Sequence, residues 1–93
     1  MSAQSDRQAA RATVAAYHEA ELAALVQHVG TAIDRFRDGE SDAFDVDHVL
    51  FQYSRAAKEL WKFCHLGDTE LAAKIVRERP AVDWWQRGAP RTH

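Results

Sequence analysis

Five histidines, one cysteine and a scatter of carboxylates are the side chains in this sequence able to move protons, attack electrophiles or hold a metal. Their spacing decides what they can do together. Zinc sites use Cys or His pairs a few residues apart, and a His-Glu-x-x-His helix puts two imidazoles on one side of a metal. His18, His28, His48, His65 and Cys64 contain neither pattern, and the adjacent Cys64 and His65 diverge by about 100° on a helix. His18 and Glu21 share a face, but two ligands fall short of a zinc site. Binuclear helical-bundle centres take Glu-x-x-His, the reverse order. No metal or cofactor is expected. Tyr17, Glu21, His28 and Arg35 line one edge of a helix, where a Glu–His pair could transfer a proton. Glu21 and His28 are two turns apart, about 10 Å along the axis, too far for a direct hydrogen bond. The sequence has no phosphate-binding glycine loop and no Gly-x-Ser-x-Gly elbow. No catalytic residue is assigned, and the chain reads as a non-enzyme.

Residues 38–47, DGESDAFDVD, hold five acids and no base. An EF-hand needs a bidentate Glu at its twelfth position, and counting from Asp38 that position is Val49, so calcium is excluded. The run reads instead as a polar turn opening a helix, with Asp45 capping it and Phe44 stapled onto Val49. Arg55, Lys58 and Lys62 share the outer face of that helix with Phe51. Basic side chains beside an aromatic suit phosphates and a stacked base, but they suit a protein contact better, since an aromatic anchor rimmed by Arg and Lys fits hot-spot chemistry. Arg55 is also placed to pair with Glu59 one turn on.

The elements that position these residues follow from periodicity. A helix over about 6–38, opened by a Ser5/Gln8 capping box, carries Val14, His18, Leu22, Leu25, Val26, Val29, Ile33 and Phe36 on one stripe. Gly30 lies inside it, and a kink or break there is the alternative. Gly39 terminates it. A central helix over about 46–65 turns Val46, Val49, Leu50, Tyr53, Ala57, Leu60, Trp61 and Cys64 inward, an arc wider than one neighbour covers. A third helix over about 69–78 is capped by Asp68 or Thr69 and halted by Pro80. A short apolar turn with Trp84 and Trp85 packs back, one tryptophan lidding the core and the other facing outward. The fold class is all-α, a small bundle of three main helices. The 93 residues make one domain, with 1–4 and 88–93 expected to be loose.

The 12 basic and 14 acidic residues leave a net charge of −2, with no general attraction to nucleic acid or anionic lipid. No apolar run approaches 18 residues and the N-terminus lacks a secretory pattern, so a cytoplasmic protein without membrane association is expected. The single cysteine fits a reducing compartment.

Two resemblances bear on function. Arg11 and His18, with six residues between them, resemble the Arg-x4–6-His signature of the helical HEPN ribonucleases. That resemblance implies an arginine and a histidine serving cleavage of an RNA phosphodiester. The sequence departs from it in Ala12, where the family has a polar residue, and in placing the pair near the N-terminus. The blocks FDVDHVLFQYSRAAKELWKFC and VDWWQRGAP resemble small uncharacterised helical proteins of actinobacterial type over about residues 17–90. This implies an all-helical fold and transfers no site residue. The reading that results is a helical protein-interaction module, an adaptor or antitoxin-like neutraliser, expected to self-associate as a homodimer. Its interface candidates are Phe51, Arg55, Lys58, Trp61, Lys62, Trp84 and Trp85. The alternatives are a nucleic-acid-binding regulator using the basic helix face and a HEPN-type ribonuclease.

Overall fold

Alanine-rich sequence carries the first helix without interruption. The computed structural model describes residues 3–65, 67–78 and 82–90. Among them lie four helices and no strand: α1 (Ala3–Arg37), α2 (Ala43–His65), α3 (Thr69–Glu78) and the single turn α4 (Trp84–Arg87). α1 continues through Gly30 without interruption, so no break forms there. It starts at Ala3, which puts Ser5 inside the first turn rather than at its cap. It ends in a Schellman closure. Gly39, at φ 77°, donates to Phe36 O, and Glu40 N donates to Arg35 O across the same turn. An exposed Arg35–Glu40 ion pair at 3.7 Å straddles the join.

α2 begins three residues earlier than its apolar period suggests. Asp42, not Asp45, is the cap: Asp42 Oδ1 accepts from Asp45 N at 2.9 Å, and Asp45 Oδ2 accepts from Asp42 N at 3.1 Å. This is the reciprocal capping box, with an aspartate doing the work usual for glutamate. Phe44 therefore lies within the first turn, 75% exposed, and no staple to Val49 forms. Asp68 caps α3 by accepting from the amides of Glu70 and Leu71, and Asp83 caps α4 by accepting from Gln86 N. Gly88 and Ala89, expected in a loose tail, are instead packed in place, Gly88 fully so. Residues 1–2 and 91–93 lie outside the described residues, as does Pro80.

α1 and α2 run antiparallel. Val14 and His18 stand beside Cys64, while His28 and Ala32 stand beside Val49. α3 follows α2 toward the start of α1, bringing Glu70 and Arg77 beside Asp6 and Ala10. The molecule measures 57 × 30 × 20 Å, and its long dimension is close to the length of α1 alone, 35 residues or about 52 Å at 1.5 Å per residue. Among the described residues the buried hydrophobic ones are Ala10, Val14, Leu25, Ala56, Leu60, Cys64, Ala72, Ala73 and Trp84. Four of these are alanine, so the helices approach closely over a thin core, and Leu60 is its one large fully buried side chain.

Candidate interaction surface

The two sides of the α1–α2 pair differ. On one side, the edge of α1 that carries Tyr17, Glu21 and His28 meets α4. Trp84 Nε1 donates to the Tyr17 hydroxyl at 2.7 Å, and the Trp85 ring stacks on His28 with centroids 4.1 Å apart and planes parallel within 1°. The polar stripe of α1 is thus a seat for the two tryptophans. α2 completes the seat from across the groove. Gln52 Nε2 donates to Trp85 O at 2.9 Å and Arg55 Nε donates to Gly88 O at 2.6 Å, satisfying carbonyls that a one-turn helix leaves unpaired.

Burial pushes the Tyr17 hydroxyl above its usual pKa; the Trp84 hydrogen bond opposes this and Glu21 adds to it. The fold therefore favours the neutral phenol. Its contribution to stability is complete below the unfolded value of about 10 and is lost as pH rises through the higher folded value. Thermal midpoints measured from neutral to strongly alkaline pH are expected to fall above about pH 10, and to fall less in Tyr17→Phe. At neutral pH Tyr17→Phe costs about 1 kcal/mol, because the Trp84 N–H loses its acceptor.

On the opposite side no element of the described chain covers the pair. Residues at 100° steps place Leu22, Val26, Val29, Ile33 and Phe36 on that side of α1, and Val46, Leu50, Ala57 and Trp61 on that side of α2. Val26 is 51% exposed, Phe36 46%, Leu50 45% and Trp61 48%. Leu50 and Trp61 fall outside the core that periodicity assigns them, and Ala56 and Phe63 take their place. The cause is α4: Trp84 against Phe63 and Gly88 against Ala56 roll the packed face of α2 toward the turn.

The uncovered apolar face ends in a polar groove of about 450 Å³ lined by Arg11, His18, Glu19, Cys64 and His65 among others. His18 and His65 meet edge-on at 5.3 Å, and Trp61 lies 5.1 Å from His65. The groove does bring Arg11 and His18 together. Burial raises the Cys64 thiol, which keeps it protonated and a poor nucleophile at neutral pH. No group of three or more His, Cys, Asp or Glu side chains among the described residues could hold a metal ion.

The interface residues expected from sequence separate accordingly. Trp61 lies on the uncovered face. Trp84 is 5% exposed and belongs to the core, so it is no surface anchor. Trp85 is half-buried under His28. Arg55 is engaged with Gly88 O rather than Glu59, and it is Lys62 that pairs with Glu59, at 3.7 Å. Lys58 is exposed, and Phe51, 57% exposed, stands on the far side of α2 from the core with Phe44 two turns before it. Val26 and Phe36 were legible only as core, since periodicity reports which side of a helix is apolar and not whether anything covers it. No helix among the described residues is long and apolar enough to cross a membrane. No protein-family model, curated protein or solved structure matches the chain.

Proposed function

We propose that this chain is a non-enzymatic helical interaction module that binds protein through the uncovered face of the α1–α2 pair. The observation that carries the reading is the row of half-exposed Val26, Phe36, Leu50 and Trp61 on one side of two helices. Each costs free energy in water, and apolar surface grouped in this way on a small protein marks a contact site. Charged residues border the row, with Glu19 and Arg37 beyond it on α1 and Asp47 and Lys58 beyond it on α2. Apolar centre and charged rim match the composition of protein interfaces. The basic face of α2 supports nucleic-acid binding less well, because Arg55 and Lys62 already have partners and Lys58 stands alone.

The test compares the full chain with a Leu50→Glu, Trp61→Glu double variant as bait in extract of the source cells. Proteins retained by the wild type are expected to be lost from the variant while its helix content stays the same. Equal retention by both baits sinks the reading.

A further inference from the structure

We infer that the occupant of the uncovered face is a second copy of this chain, packed antiparallel so that two α1–α2 hairpins close into a four-helix bundle. The inference rests on the reading of that face as a protein-binding surface and names its partner.

Surface area is the first argument. A folded monomer of 10.5 kDa exposes about 5,400 Å² by the scaling of accessible surface with mass. This chain exposes 6973 Å², about 1,500 Å² more than that scaling allows. A standard interface removes about 800 Å² from each partner and a permanent dimer about 1,000–2,500 Å². An excess of this size falls within what one copy-to-copy interface of the permanent kind takes away from each partner. The radius of gyration agrees, at 16.3 Å against about 12 Å for a compact chain of this length.

Shape is the second. The uncovered row spans both helices, so one added helix would cover only the seam between them. A hairpin of the same length supplies two helices, and a two-fold axis makes the same residues serve both sides.

Charge chooses the orientation. Residues 34–47, at the turn end of the face, carry six acids and two bases, 2 − 6 = −4. Toward the other end, Lys58 and His65 border the face on α2, while Arg55 is held by Gly88 O on the covered side and Lys62 pairs with Glu59. Parallel stacking sets acid on acid. Antiparallel stacking lays the acidic turn of each copy over Lys58 and His65 of the other.

The full chain is examined by light scattering at micromolar concentration. A dimer of 2 × 10.5 = 21 kDa is expected. Its dissociation constant should rise with salt, rise at least tenfold in Lys58→Glu, and rise beyond measurement in Leu50→Glu. Orientation is read by carbodiimide cross-linking of mixed isotope-labelled copies, which joins carboxylates and amines in direct contact. Asp47 and Lys58 of one chain lie 11 residues apart on α2, about 16 Å, so a link between them joins two copies. A dimer without that link overturns the antiparallel arrangement. A wild-type monomer whose melting is unchanged by Leu50→Glu overturns the second copy as occupant while leaving the face to another protein. A monomer whose melting collapses on Leu50→Glu shows the face to be closed by its own chain, and both readings fall.

Discussion

Trp84→Ala is expected to lower the stability of the fold by about 3–5 kcal/mol in denaturant titrations at fixed protein concentration, the cost of emptying a well-packed aromatic site. The side chain is 5% exposed and joins every element of its side of the molecule. Its ring meets Phe63 of α2 at 5.6 Å, its N–H bonds Tyr17 of α1, and the Arg87 guanidinium sits 5.3 Å over its face. Removing it empties a site whose walls are helices held by other contacts, so collapse into the gap is limited. The Tyr17 hydroxyl loses its donor at the same time. A chain of this length has about 5–14 kcal/mol to lose, so the variant should sit near the edge of folding. Trp84→Phe, which keeps most of the volume and gives up the hydrogen bond, should cost about 1–2 kcal/mol. A loss below about 1 kcal/mol in Trp84→Ala would mean that the terminal turn is not docked at all.

How much of this was legible in the sequence depends on the range of the interaction. Helix identity and termini are local matters. α3 was read to the residue because Asp68 caps it and the apolar period is unbroken, and α1 ends where Gly39 permits the left-handed turn. The start of α2 was misplaced because two aspartates three apart, Asp42 and Asp45, each qualify as a cap. Only the reciprocal bonding between them shows which lies outside the helix. The candidate site was harder to read, because it depends on contacts between residues far apart in the chain. Tyr17 and His28 lie on a polar edge whose spacing speaks against proton transfer, and Arg55 reads as the rim of a protein contact around Phe51, with phosphate binding as the alternative. Their partners are Trp84, Trp85 and Gly88, 33 to 67 residues further along. Once α4 claims that side of the hairpin, the opposite side is left bare. Which half of the wide apolar arc of α2 becomes core therefore follows from a four-residue turn.

Gly88→Ala is the sharper test of that turn, because no sequence rule marks the position. Its backbone, at φ −89° and ψ −3°, is one that alanine adopts without strain. The obstacle is space. A β-carbon there would lie 2.5 Å from Ala56 N, 2.6 Å from Gln52 O and 2.7 Å from Ala56 Cβ, where non-bonded carbon contacts settle near 3.5–4.0 Å. Two of the three obstructing atoms are backbone of the α2 helix and cannot swing aside. The turn must lift instead, stretching the Arg55–Gly88 and Gln52–Trp85 hydrogen bonds and drawing Trp84 out of its site. A loss of about 3 kcal/mol is expected, close to that of Trp84→Ala itself. The two effects should not add in the double variant, because both undock the same element. Gly30→Ala is the control. Nothing lies within 4 Å of a β-carbon at that exposed site in α1, so alanine there should stabilise by about 0.5–1 kcal/mol through helix propensity alone. If Gly88→Ala instead melts like the wild type, then α4 does not rest on Ala56. The side of α2 taken here to be covered would then be as open as the side that carries Leu50 and Trp61.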